Sequence, residues 1–100
     1  MIEYAPRAAS QVAALRHHYE DLGRPAAVRA LVSALDEAER RIEGNPTGGL
    51  PAPRPYPQLA RPGVAWIKVA RYWVAYSLTQ PPVIVAVFYE TADIPGRTAL

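Results

Sequence analysis

The sequence contains no cysteine, which excludes a disulfide framework, a thiolate metal site and a cysteine nucleophile. No apolar run approaches the roughly 18 residues that a membrane-spanning helix needs, and the N-terminus does not resemble a signal peptide. The chain also lacks a large excess of charge of one sign. Its net charge of +2 is too small to indicate nucleic-acid binding by itself. We therefore expect a cytoplasmic protein that has no membrane-spanning segment.

The length of 100 residues is enough for one domain with a modest core, and we place that domain at residues 1–100. Residues 1–44 contain six Arg and seven acidic residues, whereas residues 45–100 contain five basic and two acidic residues. The second half is thus mildly basic. Ten of the eleven basic residues are Arg, which suits bidentate contacts to phosphate or carboxylate, although genome base composition can produce the same bias.

The first half of the chain has helical periodicity after a short strand. Residues 2–4 alternate apolar and polar and predict an edge strand before Pro6. Two amphipathic helices follow, separated by Gly23 and Pro25, and Gly44 ends the second of them. Their predicted core stripes are Ala8, Val12, Leu15, Tyr19 and Leu22 in the first helix, and Val28, Leu31, Val32, Leu35 and Ile42 in the second. We expect these helices to form a hairpin.

The solvent side of the second helix is predicted to carry its charges. Asp36–Arg40 and Glu37–Arg41 have the i,i+4 spacing of helical ion pairs. Glu37, Glu39 and Glu43 are read as a charged face. On the first helix, His17 and His18 point about 100° apart, so they cannot share a metal ion as an i,i+4 pair could. We predict no metal site and no cofactor.

The second half of the chain is rich in β-branched and aromatic residues, which favour strands. Val64–Val69 and Tyr72–Leu78 are predicted as two antiparallel strands joined near Ala70-Arg71, with one long bent strand as the alternative because the turn lacks an Asn-Gly signal. After Pro81-Pro82, the segment Val83–Tyr89 is apolar at every position, which is typical of a central strand with both faces covered.

The central strand raises the question of what covers its second face. In regular alternation, one face would carry Val83, Val85 and Val87 and the other Ile84, Ala86 and Phe88. Two helices can cover one face only, so we expect the surplus apolar surface to dock a partner segment or a second copy of the chain. Internal cover by the proline-rich segment is the alternative.

Residues 44–63 differ from the rest because they contain six of the eleven Pro and four of the six Gly. Proline alternates from Pro51 to Pro57, which favours an extended, stiff conformation. We expect this segment to lie along the sheet edge, anchored by Tyr56 and Leu59. A ligand motif for an SH3-like module is a less favoured alternative.

The order of elements, a strand, a helical hairpin and a three-stranded antiparallel meander packed on the helices, resembles the RelE/ParE superfamily of bacterial toxins. The opening YAPRA, the segment YPQLARPGVAWIKVARYWVAYSL and the following PPVIVAVFYETADIP carry the resemblance, with Tyr72 and Tyr76 on the second meander strand. The resemblance implies an α+β fold, the toxin role in a type II toxin–antitoxin pair such as those of plasmid stabilization systems, and a cognate antitoxin as partner.

The resemblance also implies one of two targets. RelE-like members cut messenger RNA on the ribosome with basic residues of the sheet, whereas ParE-like members inhibit DNA gyrase. Lys68 matches one strand cation of the nucleases, but Trp73 stands where a second is expected, and Glu90-Thr91 stand where a third is expected. The hypothesis of a ParE-like gyrase binder, with no assigned catalytic residue, is therefore favoured over that of a ribosome-dependent endoribonuclease. A non-toxic interaction module of the same fold is a third hypothesis.

Six residues are candidates for contacts with the target or the antitoxin. Lys68 and Arg71 flank the predicted strand junction, where they either bind an acidic partner or are ordinary exposed charges. A sheet of this size cannot easily bury all of its large aromatic residues, so some of them are expected to anchor a partner. The alternative is that these residues pack in the core. The six candidates are Lys68, Arg71, Trp66, Trp73, Tyr89 and, in the C-terminal tail, Arg97. A homodimer and a toxin–antitoxin hetero-oligomer are both compatible with this interpretation.

Overall fold

The computed structural model describes residues 2–92 and Ile94 and has the predicted α+β architecture. A two-residue strand is followed by two helices, a proline-rich connection with one 3₁₀ turn at Pro57–Leu59, and three longer strands. The bounds are β1 Glu3–Tyr4, α1 Pro6–Asp21, α2 Pro25–Gly44, β2 Val64–Val69, β3 Tyr72–Ser77 and β4 Val83–Tyr89. The predicted helical hairpin and the three strands of the meander are all present.

The four strands form one sheet in the order β1-β4-β3-β2. β1 runs parallel to β4, while β4, β3 and β2 are antiparallel neighbours. β2 and β3 are separate strands joined by a two-residue turn at Ala70-Arg71, where Ala70 has a φ of 52°, so the bent-strand alternative is wrong. The predicted position of Val83–Tyr89 inside the sheet is confirmed, because β4 has a neighbouring strand on each side.

One face of the sheet packs against both helices and forms the larger core. The alternate residues of β2 and β3 that point to this face are all buried, as Cβ direction along a strand requires. On the helices, the contact is made by alanines as well as by large residues. The helical side of this core comprises Ala8 and Tyr19 of α1, and Leu31, Ala34, Leu35, Ala38 and Ile42 of α2.

The opposite face of the sheet is covered by the proline-rich connection, residues 45–63, which we call the strap. Leu50 exchanges two backbone hydrogen bonds of 2.7 Å with Trp66 at the free edge of β2. The start of the strap also contacts the helix side of the sheet, where the Tyr76 hydroxyl donates to the carbonyl oxygen of Pro46 at 2.7 Å. Tyr56 and Leu59 anchor the segment as predicted, but on the face of the sheet rather than only along its edge. The buried members of this second core are Trp66, Trp73, Ala75, Ala86, Phe88 and Ile94.

The expectation of a large uncovered sheet face is therefore wrong. The strap and Ile94 supply the cover that was expected from a partner segment or a second copy, and the residues of β3 from Tyr72 to Tyr76 are buried. Stiff proline segments can lie flat on a surface because little conformational entropy remains to be lost when they are ordered. A partner for this chain must be argued from other surfaces.

The alternation predicted for β4 holds in only part of the strand. Ala75 pairs with Ala86, but the next residue of β3, Tyr76, pairs with Ile84, so the register shifts by one residue at Val85. As a result Ile84 and Val87 both face the helices, while Ala86 and Phe88 face the strap. The prediction that Ile84 shares a face with Ala86 and Phe88 is wrong. One extra residue in a strand moves the side chains on one side of it to the opposite face of the sheet.

Two residues of the predicted helical core stripes lie at the surface. Leu22 exposes 56% of its area, because α1 ends at Asp21 and the chain turns away at Gly23, which has a φ of 63°. Val32 exposes 48%, since α2 is rotated so that Ala34 and Ala38 face the sheet instead. Small alanine side chains let the helix approach closely, but they contribute little to an apolar pattern.

The predicted ion pairs of α2 are also wrong. Arg40 pairs with Glu37 at i,i+3 through its Nη2 and Nε atoms, and Arg41 donates to the carbonyl oxygen of Lys68 at 2.9 Å. Glu39 is not part of a purely solvated face, because it accepts hydrogen bonds from the Tyr4 hydroxyl at 3.0 Å and the Ile2 amide at 3.3 Å. Burial and the Glu39 hydrogen bond raise the pKa of Tyr4. Glu39 thus ties the N-terminal strand to α2.

Candidate functional site

Lys68 and Arg71, the two basic contact candidates of the meander, share one acidic partner at the end of the sheet. Lys68 is the fifth residue of β2, Arg71 lies in the following turn, and Glu90 comes directly after β4. The Lys68 Nζ is 3.1 Å from Glu90 Oε2, and the Arg71 Nη1 is 3.2 Å from Glu90 Oε1. Antiparallel pairing of β3 with both neighbours brings the three residues together, so this site follows directly from the topology.

The electrostatics of this cluster leave little free charge. A hydrogen bond with Tyr89 and the negative charge of Glu90 raise the pKa of Arg71. Glu90 is the least exposed of the three, at 24%, and it neutralises one of the two cations. The acid that the sequence places after β4 is therefore the direct partner of the two strand cations. Solvent-exposed ion pairs of this kind contribute little to stability, so orientation of the side chains is their main effect.

Trp66 and Trp73 are both buried beneath the strap, with exposures of 0% and 3%. Trp66 stacks on Phe88 with ring centroids 6.3 Å apart, and the Lys68 Nζ lies 6.0 Å from the centroid of Trp73. The alternative prediction, that both tryptophans pack in the core, is confirmed. Neither ring can contact a partner while the strap is in place, so the structure does not bring them together with Arg71 as a contact surface.

Tyr89 and Arg97 complete the set of predicted candidates. Tyr89 is half-buried and stands edge-on to Tyr72, with centroids 5.6 Å apart and an interplanar angle of 78°. One side of Tyr89 faces a cleft described below. Arg97 lies outside the described residues.

A large open cleft lies between the helical hairpin and the ends of β3 and β4. Its volume is about 1180 Å³, and it is bounded by α1, the first turns of α2, the β2–β3 turn and the residues after β4. His18, Arg24 and Arg71 contribute basic side chains, while Tyr19, Tyr72 and Tyr89 contribute phenol rings. Sequence reasoning missed this cleft, because its residues come from five separate parts of the chain and follow no local motif.

A smaller groove is lined by residues of α1 and α2 and by Tyr4 of β1. It has a volume of about 400 Å³ and is mostly apolar, with two acidic residues at one side. Val32, the exposed residue of α2, lies in it. The complete lining is Tyr4, Ala9, Val12, Val32, Leu35, Asp36 and Glu39.

Neither the models of known protein families nor the curated protein sequences match this chain. Function must therefore be argued from the residues themselves. In the part of the chain that the structure describes, no three His, Asp or Glu side chains are grouped to hold a metal ion. No helix among those residues has the length and apolar character needed to cross a bilayer.

Proposed function

We propose that this chain is the toxin of a type II toxin–antitoxin pair that acts by binding DNA gyrase and is neutralised by a cognate antitoxin. The order of elements supports this proposal, since the strand, the helical hairpin and the meander are those of the RelE/ParE superfamily that the sequence resembles. In the same proposal the chain acts in the cytoplasm, where gyrase is found.

The binder proposal is preferred over the nuclease because of the side chains that fill the sheet face on which Lys68 lies. Cleaving RNA through its 2′-hydroxyl requires an accessible base, an acid and cations for the phosphate. On this face the space is filled by Trp66, Trp73 and Phe88 and covered by the strap. At its open end Glu90 binds both cations. A phosphate approaching Lys68 would meet a carboxylate.

The groove on the helical hairpin is the surface that best fits an antitoxin. An amphipathic helix binds through apolar residues at i, i+3, i+4 and i+7 placed in a hydrophobic groove, and the groove lined by Val12, Val32 and Leu35 offers such a surface. Asp36 at its side would pair with a basic residue of the partner, whereas Glu39 already accepts hydrogen bonds from Tyr4 and the Ile2 amide. Val32 is the most informative residue to test because it is exposed and lies in the groove.

Induction of the protein in a bacterial host is expected to stop DNA replication while bulk messenger RNA stays intact. The purified chain is expected to inhibit DNA supercoiling by gyrase, because the proposal requires direct binding. Both are measured against an uninduced culture and a reaction without the chain. Rapid cleavage of ribosome-bound messages that is lost in Lys68→Ala would contradict the gyrase proposal and support the endoribonuclease. No effect of either kind would support the non-toxic interaction module.

Val32→Asp is expected to abolish neutralisation by the antitoxin while leaving toxicity intact. A carboxylate in the groove would be desolvated under the partner helix and would face Asp36, so complex formation should weaken by about 10-fold or more. Ser33→Asp is the matched control, because it adds the same charge one residue along, at an exposed position outside the groove. Growth and co-purification with the antitoxin are measured for both. Full neutralisation of Val32→Asp would show that the antitoxin binds elsewhere.

A further inference from the structure

We propose that the cleft between the helical hairpin and the β2–β3 turn binds a nucleoside phosphate. The first observation is the charge of its walls. Arg24 and Arg71 line the cleft together with His18, and none of the described lining residues is acidic, while Glu90 pairs with Arg71 beside the cleft. A concave surface lined by guanidinium groups attracts anions.

Arg24 is the cation available for a ligand. Arg71 is already held by Glu90. The Arg24 guanidinium, in contrast, has no hydrogen bond or ion pair with any side chain of residues 2–92 or with Ile94. The main chain of Arg24 is held beside the cleft, because its amide donates to the carbonyl oxygen of Tyr19 at 2.9 Å. An unpaired guanidinium beside a cleft offers bidentate donors that match a phosphate group.

A pair of buried tyrosines in the cleft wall adds a second, independent observation. The hydroxyls of Tyr19 and Tyr72 are 2.7 Å apart, and the two residues expose only 8% and 5% of their area. Two hydroxyls carry two hydrogens, and their mutual hydrogen bond uses one. Burial and the bond with Tyr19 raise the pKa of Tyr72, so it stays protonated. Within the described residues the second hydrogen has no acceptor, which an anionic oxygen of a ligand would supply.

The remaining walls favour a ligand with a flat apolar part rather than a bare anion. Leu15, several alanines and the half-buried ring of Tyr89 line the cleft beside the basic residues. Every nucleobase has a π-face that can stack on an aromatic side chain, and stacking does not require a particular base. The cleft volume of about 1180 Å³ is ample for a mononucleotide. A nucleoside phosphate combines the anion and the planar ring that these walls fit.

The cleft shares no lining residue with the groove that contains Val32, and it shares only Arg71 with the Lys68–Arg71–Glu90 cluster. Binding is measured on the isolated chain and needs neither gyrase nor an antitoxin. Failure of one proposal therefore leaves the other open.

The test is a calorimetric or NMR titration of the full chain with adenosine and guanosine 5′-monophosphate, compared with adenosine and inorganic phosphate at equal ionic strength. We expect saturable binding of the monophosphates. Arg24→Ala is expected to weaken it by about 10-fold or more, since it removes a charge-assisted hydrogen bond. Arg29→Ala is the matched control, because Arg29 is an exposed Arg of α2 outside the cleft.

The tyrosine pair is tested with the double variant Tyr19→Phe/Tyr72→Phe, which keeps both rings and removes both donors. It should weaken binding, whereas Tyr56→Phe, which removes a hydroxyl on the strap, should not. The proposal is wrong if neither monophosphate binds, or if inorganic phosphate binds as tightly as they do. It is also wrong if Arg29→Ala weakens binding as much as Arg24→Ala does.

Discussion

Leu31→Ala is expected to lower the free energy of unfolding by about 2–5 kcal/mol, the usual range for a buried leucine truncated to alanine. Leu31 exposes 1% of its area and belongs to the core between α2 and the sheet. The substitution removes three buried carbon atoms, and the neighbouring strand and helix cannot close the space without moving the backbone. The loss is measured by urea or thermal unfolding of the purified chain.

Val32→Ala is the matched control for Leu31→Ala. Val32 is the next residue of α2 but exposes 48% of its area, so its truncation removes few buried contacts and slightly favours the helix. We expect a change within about 1 kcal/mol in either direction. Equal losses for the two variants would mean that α2 is rotated relative to the sheet. Glu39→Ala is unsuitable as a surface control, because Glu39 holds Tyr4 and the Ile2 amide.

The elements of the fold could be predicted because their sequence signals are strong and local. Proline and glycine mark both ends of α2, and the bounds of β2 and β4 agree with the apolar runs from which they were predicted. The pairing of Lys68 and Arg71 with Glu90 was not predicted, but the sequence contains a signal for it. Three antiparallel strands place the β2–β3 turn beside the end of β4, where Glu90 is the only acidic residue between Glu43 and Asp93.

Other features could not be predicted because they depend on contacts between distant segments. The strap has no apolar period, and nothing local indicates that Leu50 pairs with Trp66 or that Pro53 becomes buried. The shift at Val85 leaves no mark in a strand that is apolar at every position. The role of Ala34 and Ala38 was missed because alanine occurs equally on buried and exposed helix faces. The cleft has no sequence signal, since its lining residues range from Gln11 to Ala92.

Gly49→Ala is expected to displace the strap from the sheet. A Cβ atom on Gly49 would lie 2.6 Å from the Tyr76 hydroxyl oxygen, 2.9 Å from the Ala65 Cβ and 3.1 Å from the Trp66 carbonyl oxygen. Two of these neighbours are strand atoms that cannot rotate away, so the chain near Gly49 must move. Overpacking of this kind costs about 1–3 kcal/mol. The hydrogen bond from Tyr76 to Pro46 and the Leu50–Trp66 pair are the contacts that should weaken first.

The opening should be visible at Trp66, which is completely buried and stacked on Phe88. Its Nε1 has no hydrogen-bond acceptor in the described part of the chain, and an unsatisfied buried donor costs about 1–3 kcal/mol. Water reaching Nε1 would offset part of the cost of opening. We therefore expect red-shifted tryptophan emission and increased binding of a hydrophobic dye in Gly49→Ala. Gly44→Ala is the control, because a Cβ there meets nothing within 4 Å.

The same variant separates the binder from the nuclease without altering any charged residue. Opening the strap exposes the sheet face that carries Lys68, the strand cation on which the endoribonuclease alternative depends. If tryptophan and phenylalanine side chains fill that face in place of catalytic groups, Gly49→Ala should bind more dye and still leave ribosome-bound messages intact. A gain of message cleavage in Gly49→Ala that is absent in Gly44→Ala would identify the strap as the cover of a nuclease surface and contradict the gyrase proposal.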